Sequence, residues 1–368
     1  MEEEEQRSCC DDITCGFLEE AADKSEYESA AMPSKAGGLP AWLALDKLPR
    51  LEDLECPECH IPMMFLLQLN SPLDDVNPDA YYRTLYVFCC KSCIKFRAFR
   101  CQLPKENPYY LEEPNEGEDD DDDEEEEECP ANVIKADAPR AQLCDVCGCA
   151  GTKTCARCHK AHYCTQFHQK IAWQGGHSRE CSGLASGATA ARVECDCSAV
   201  RFPERLIVSE DEPSAAAAAA TEEEMEEKLK KAQHVRPEAG ETAEDEAPEY
   251  VDMEFLNFQR RLERAPQQVV RYIHGNVGCP AEEEAVEPLW CSEKNKPEEI
   301  PCCPLCGGRR VAEFQLTPQI IYLEGVSPDS SFDFGTVVVY TCVNTCTVPA
   351  AAQSLYVEEF VFCQQPNK

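Results

Sequence analysis

The sequence predicts a cysteine-rich α+β protein: two related β lobes, one toward each end, with a compact Cys/His cassette between them and acidic linkers joining the three. Three observations predict it. β-like apolar runs set between paired cysteines occur twice, across 56–93 and again across 303–346. A dense group of cysteines and histidines fills 144–181. The stretches between these regions are acidic or alanine-rich and carry little periodic apolar signal. A length of 368 residues suits two or three such units.

Along the chain, residues 1–36 are acidic and aperiodic and are expected to be a disordered tail, in which the short apolar piece Gly16-Phe17-Leu18 can dock. Residues 37–110 turn globular and form the N-terminal lobe. Residues 111–140 are an acidic linker containing the unbroken run Glu118 to Glu128, where like charges repel and stay extended. The cassette occupies 141–184. Residues 185–249 are a second linker, with an alanine tract at Ala215–Ala220 and one surface helix from Thr221 to Lys231, supported by Glu224–Lys228 and Glu226–Lys230 pairs. The C-terminal lobe spans 250–368. It opens with an amphipathic helix from Tyr250 to Arg264, because Val251, Phe255, Phe258 and Leu262 recur at spacings of 4, 3 and 4. Pro266 can start a second short helix through Ile273; β-like runs follow from 300 to 366.

The 27 cysteines point to metal. The N-terminus lacks the basic and apolar regions of a secretory signal, and no apolar run approaches the roughly 20 residues of a membrane span, so the chain is expected in the cytosol or the nucleus. Disulfides are rare there, and grouped cysteines hold metal instead. The cassette is the most specific group. Its order is Cys144-x2-Cys147, Cys155-x2-Cys158, Cys164-x3-His168 and His177-x3-Cys181, four ligand pairs for two tetrahedral Zn2+ ions. A CxxC knuckle places two thiolates on one zinc edge, and an i,i+4 pair places two ligands on one helix face. Pairing first with third and second with fourth gives a cross-brace: Cys144, Cys147, Cys164 and His168 about one ion, Cys155, Cys158, His177 and Cys181 about the other. Cys149, His159 and His162 are then left as non-ligands. Eight protein ligands close both sites and leave no position for a catalytic water.

The second group is Cys56, Cys59, Cys90 and Cys93, two knuckles with strand-like segments between them, as in a zinc ribbon with four thiolates. Cys89 competes with Cys90 for the third position, and Cys90 restores a CxxC spacing. The third group is Cys303, Cys306, Cys342 and Cys346, with Cys302 beside Cys303 as the same kind of competitor. The x3 spacing before Cys346 departs from an ideal knuckle. Both groups begin CPxC, continue through an apolar strand containing Gln-Leu (Gln68-Leu69 and Gln315-Leu316), and end on a strand running into the second cysteine pair. They read as an internal repeat. The fold class is therefore zinc-rich α+β, with two related zinc-ribbon-like lobes carrying one zinc each and a two-zinc finger on an excursion between them.

With its Tyr163-Cys164 and Trp173 landmarks, the cassette resembles a MYND finger; the usual pattern has cysteine where this chain has His168, and histidine ligates zinc equally well. More widely the chain resembles the programmed cell death protein 2 family, through Pro33-Ser34-Lys35-Ala36-Gly37-Gly38-Leu39-Pro40-Ala41-Trp42-Leu43, Phe65-Leu66-Leu67-Gln68-Leu69, Arg83 to Cys90, the finger, Phe314 to Gln319 and Tyr340-Thr341-Cys342. That resemblance implies a dedicated chaperone of a newly made small-subunit ribosomal protein, acting in small-subunit assembly. Composition adds an independent constraint. Lys and Arg number 34 against 70 Asp and Glu, a net charge of −36. Such a balance disfavours direct binding to nucleic acid or an anionic membrane and favours a basic protein partner. There is no nucleophile elbow, P-loop or strand-linked GxGxxG, so a non-enzymatic binding protein is expected. The competing class is a MYND adaptor that binds proline-containing peptides in transcriptional regulation or apoptosis.

Overall fold

The computed structural model describes residues 13–111, 132–185, 197–213, 252–273, 276–278, 285–322 and 332–366. The repeat is visible as two antiparallel meanders. The first is β3 (Met64–Asn70), β4 (Tyr82–Cys90) and β5 (Lys95–Leu103); the second is β10 (Arg310–Leu316), β11 (Thr336–Cys342) and β12 (Tyr356–Gln364). Each has a bulge at the same point of its first strand, leaving Leu66 in one and Glu313 in the other as the extra residue. The meanders join through their last strands: β5 pairs antiparallel with β12, Cys101 opposite Tyr356.

The two expected lobes are thus halves of one structure. Short strands β2 (Lys35–Ala36), β8 (Arg205–Asp211), β1 (Thr14–Glu19) and β9 (Val270–Tyr272) complete a closed barrel in the order β1-β8-β2-β3-β4-β5-β12-β11-β10-β9. Closure removes the unpaired edges that two separate three-stranded sheets would expose. The described architecture is mostly β, and the expected α+β balance is corrected accordingly.

Closure also overturns three local expectations. Residues 14–19 and 35–36, assigned to a disordered tail, are barrel strands. The linker at 185–249 contributes β8. The expected helix after Pro266 is instead β9, because Val270 to Tyr272 is needed between β1 and β10. Gly16 shows how tightly β1 is threaded: a Cβ there would lie 2.9 Å from Ile207 and 3.2 Å from Val270. By contrast, the amphipathic helix forms as expected, as Met253–Arg264, capped by Asp252 and burying Phe258 and Leu262. The acidic run at 118–128, the alanine tract and the expected helix at 221–231 lie outside the described residues.

Strand alternation sorts the core. Leu67, Leu69, Leu85, Val87, Val270, Phe314, Leu316, Val337 and Val339 come from around the barrel and meet in its interior. At one end of that interior lie buried ion pairs, Arg83–Glu313 and Arg100–Glu359 between the halves and Arg310–Glu359 within the second. Arg83 grips Glu313 through two bonds of 2.5 and 2.7 Å, and Glu359 receives Arg100 at 2.8 Å and Arg310 at 2.9 Å. On the outer face of the first half, Tyr86, Phe88 and Phe99 form a surface covered by Trp42 and the finger.

Candidate metal centres

The finger is built from a two-stranded ribbon, β6 (Lys153–Thr154) with β7 (His162–Tyr163), followed by helices α1 (Gln166–Ala172) and α2 (Ser178–Ala185). Thr165 caps α1 by accepting from the His168 backbone N–H at 3.3 Å. Cys164 lies just before that helix rather than on it, and the cap delivers His168 Nδ1 to within 3.0 Å of its Sγ. A kink at Gly176 turns His177 back toward Cys158, with 3.7 Å between its Nε2 and the thiol sulfur.

Four side-chain groups come together with all donor atoms within 4.8 Å of one another: Cys144, Cys147, Cys164 and His168; Cys155, Cys158, His177 and Cys181; Cys56, Cys59, Cys90 and Cys93; Cys303, Cys306, Cys342 and Cys346. These are the four sets chosen by spacing. The cross-brace pairing is among them, with Cys147 3.6 Å from Cys164 and Cys155 3.8 Å from Cys181. A tetrahedral zinc with bonds of about 2.3 Å to sulfur needs sulfur atoms about 3.8 Å apart. The observed separations fit, including 3.7 Å for Cys59–Cys90 and 3.3 and 3.5 Å for Cys303–Cys346 and Cys306–Cys342. Three thiolates with one imidazole, or four thiolates, suit zinc and are wrong for hard cations such as magnesium or calcium. Among the described residues there are therefore four closed sites capable of holding zinc.

At three of the ligands the local backbone favours the thiolate. Burial pushes Cys56 up, but the backbone N–H groups of Cys59 and Glu58 outweigh it and bring the thiol down to about 7. Cys155 is treated alike by burial, then by the Cys158 N–H, His177 and the Arg157 N–H, and falls to about 6. At Cys306 the Gly308 N–H leads, and its thiol is lowered to about 7. Left-handed backbone follows the second cysteine of five knuckles, at His60, Ile94, Gly148, His159 and Gly307. In the sixth, the left-handed residue is Thr345, directly before Cys346, which accounts for the longer spacing. The competing cysteines point elsewhere. Cys89 belongs to the interior cluster, and burial pushes its thiol well up. Cys302 is exposed and outside the group. Cys149 is a buried bystander whose sulfur lies against the Cys147 carbonyl.

The finger is not an outlying excursion. The Trp42 indole N–H donates to the Gly148 carbonyl at 2.7 Å, Arg201 donates to the Val146 carbonyl at 2.6 Å, and the first finger site shares an apolar cluster with Tyr86 and Phe88.

Comparison with known proteins agrees with this assembly. Residues 12–117 match the description "Programmed cell death protein 2, N-terminal domain", 252–365 match "Programmed cell death protein 2, C-terminal putative domain", and 144–181 match "MYND finger". Programmed cell death protein 2 of Bos taurus is 37% identical over 356 residues, covering 95% of each chain. The chain belongs to the programmed cell death protein 2 family. The Rattus norvegicus protein of that name is 35% identical over 96% of each chain, whereas programmed cell death protein 2-like of Gallus gallus aligns over only 31% of this chain and 27% of its own, at 36% identity. No solved structure matches significantly. In this member of the programmed cell death protein 2 family, the two flanking matches correspond to the two meanders, whose strands the structure joins in one barrel.

Sequence reading missed one part of the repeat that organises the site. Gln68 accepts from the Ala41 N–H at 2.8 Å and donates to the Ala41 carbonyl at 3.3 Å; Gln315 does the same with Leu289 at 2.8 and 3.1 Å. Each buried glutamine thereby fixes a Pro-x-Trp segment, Pro40-Ala41-Trp42 or Pro288-Leu289-Trp290, across the meander. The available signal was a Pro-x-Trp whose tryptophan stands 13 or 14 residues before each CPxC.

The pairing of the finger ligands has a direct test. Replacing Cys144 and Cys164 together by serine is expected to remove one zinc per chain, and replacing Cys144 and Cys155 together to remove two, counted by elemental analysis. Loss of two zincs from the Cys144 and Cys164 variant, with only one lost from the Cys144 and Cys155 variant, would show that the sites are paired in sequence order and not cross-braced.

Proposed function

We propose that this protein is a non-enzymatic escort for a newly made small-subunit ribosomal protein, holding it in the cytosol, and in the nucleus, until assembly. The observation that carries the reading is a charge of −36 on a member of the programmed cell death protein 2 family that aligns with the Bos taurus protein over 95% of each chain. A ribosomal protein released from translation is basic and lacks the RNA that will neutralise it. An acidic partner supplies a substitute field and speeds capture, with no need for nucleic acid in the complex. The metal sites support a structural role: each has four protein donors, so zinc there would cross-link the chain rather than activate water.

A second reading, the MYND adaptor, is favoured by one observation. On the finger, Phe167 is 45% and Trp173 is 42% exposed, and Trp173 lines a shallow cleft of about 300 Å³ with Gln166 and Gln169. Deleting the finger cannot separate the readings, because it would uncover Trp42 and the aromatic face beneath. Side-chain changes can. With full-length tagged protein carrying Phe167→Ser and Trp173→Ala, a small-subunit ribosomal protein should still co-purify at wild-type yield and be lost progressively as salt is raised. Loss of the ribosomal protein on these finger substitutions, or its absence from the wild-type complex, would favour the adaptor.

A further inference from the structure

The two all-cysteine groups are repeats of one another, but they are not built alike. The group at Cys56, Cys59, Cys90 and Cys93 is self-contained. Its knuckles close on their own backbone, with the Cys56 N–H donating to Ile61, the His60 N–H to Cys56 and the Ile94 N–H to Cys90, all at 2.9 Å. Among the described residues no hydrogen bond joins 56–60 or 90–94 to the second half of the barrel. The counterpart at Cys303, Cys306, Cys342 and Cys346 has its second knuckle held from across the junction. The Thr345 carbonyl accepts from Gln102 at 2.7 Å and from Asn77 at 2.9 Å, and the Cys346 carbonyl accepts from Arg100 at 3.0 Å. Arg100 and Gln102 belong to β5, and Asn77 to the connection between β3 and β4.

These contacts fall where the knuckle needs them. Thr345 has a φ of +44°, a left-handed conformation that a β-branched residue adopts at a steric cost and keeps only when its surroundings fix it. Two donors on its own carbonyl and a third on the next residue do so, and all three come from the first half. Arg100 also ties the site to the buried charge layer. The Glu359 carboxylate accepts from Arg100 on one oxygen and from Arg310 on the other, and Arg310 reaches the Cys302 carbonyl, beside the first knuckle, at 3.4 Å. Both knuckles therefore hang on one carboxylate. The same group is also the most open. Of the sixteen ligands only Cys306 is exposed. Its neighbour Leu305 is 44% exposed, and a Cβ on Gly307 would meet nothing within 4 Å.

We propose that the C-terminal cysteine group is the exchangeable metal site of this protein and a latch between the barrel halves, with Arg100, Gln102 and Asn77 of the first half as positioning residues for metal bound in the second. A site whose fourth ligand stands on a knuckle fixed from across the junction is complete only while the halves are closed. In return, a metal at Cys346 keeps the Thr345 and Cys346 carbonyls where β5 can hold them. Exchange begins at Cys306, the one ligand that a chelator meets in solvent; the other three groups have no exposed ligand. The two events are linked thermodynamically. Removing this single metal loosens the β5–β12 junction, and loosening the junction weakens this one site of the four. The escort role proposed above is not required for any of this.

The test mixes the full-length zinc-loaded protein with excess pyridylazoresorcinol, a chelator whose colour counts zinc as it leaves. Release is expected in two phases, one zinc per chain fast and three slow. Cys306→Ser should delete the fast equivalent and leave the slow three. Gln102→Met and Asn77→Asp each take a donor from the Thr345 carbonyl. Each should speed the fast phase about fivefold, the equivalent of about 1 kcal/mol for a lost hydrogen bond, and leave the slow phase alone. A general loosening of the fold would speed both phases. Asn77→Asp keeps the side-chain oxygen that accepts from the Asp79 N–H, so it serves if Gln102→Met does not fold. Hydrogen exchange read by mass spectrometry after the fast phase should show β5 and β12 deprotected while 144–181 stays protected. Single-phase release, or a fast equivalent that survives in Cys306→Ser, would overturn the proposal. So would a folded Gln102→Met or Asn77→Asp variant whose fast phase is unchanged or whose phases both quicken, or unchanged protection of β5 and β12.

Discussion

Stripping the metal with a strong chelator is expected to abolish the cooperative thermal transition of the whole barrel, and not only that of the finger. In small fingers structural zinc contributes about 10–16 kcal/mol of apparent binding energy, against a net stability of only about 5–15 kcal/mol for a typical domain. The sites are also placed where their loss spreads. Cys90 ends β4 and Cys342 ends β11, and since β4, β5, β12 and β11 run alternately, the two all-cysteine groups lie at opposite ends of the barrel. The finger's first site belongs to the apolar cluster that contains Trp42, Tyr86 and Phe88, so its collapse uncovers the outer face of the first meander. Circular dichroism melts with and without chelator would show this. An unchanged melting curve would mean that the thiol groups hold the fold without metal; loss of a small, separate transition would mean that the finger folds independently of the barrel.

The second large effect is expected at the Arg83–Glu313 pair, which is buried in the barrel interior and joins one half to the other. Glu313 is the bulge residue of β10, and it also accepts from Ser71 and Thr341. Glu313→Gln leaves the Arg83 guanidinium with an uncompensated charge, a change that costs about 3–5 kcal/mol when one partner of a buried pair is removed. Replacing both, as Arg83→Met with Glu313→Leu, should recover much of that loss, because hydrophobic substitutes escape the desolvation penalty. The pair also sets a pH dependence. Burial pushes the Glu313 carboxyl up, but the Arg83 charge and hydrogen bonds, with those of Thr341 and Ser71, outweigh it and hold the group below the usual carboxylate range. Its contribution is then complete above the unfolded value of about 4.3 and is lost as pH falls through the lower folded value. Urea melts at neutral and acidic pH should show a steeper acid loss in the wild type than in Glu313→Gln. Equal acid sensitivity would mean that other carboxylates govern it.

The candidate sites were legible in the sequence because a metal group is local information. A CxxC knuckle is four residues long, its ligand types are few, and zinc accepts little variation, so spacing alone chose all sixteen residues that the structure brings together in four groups. The amphipathic helix at Met253–Arg264 was legible for the same reason: its apolar period lies within one segment. The internal repeat, read from CPxC and Gln-Leu, predicted two related β units, and both meanders are there with their bulges in register.

How those units meet was decided only in three dimensions. β1 finds its partners β8 and β9 near residues 208 and 271, across stretches of low complexity, and a six-residue strand with a glycine in it carries too little apolar signal to announce a central role. Lys35 and Ala36 form two residues of strand that no period can reveal. Arg83, Arg100, Glu313 and Glu359 look like surface charges one at a time, and become an interior layer once the halves close around them. Spacing determines which residues can share a metal, because ligand geometry is short-ranged. Closure of the barrel is set by pairing sheet edges and burying charge against charge, and those energies exist only between segments far apart in the chain.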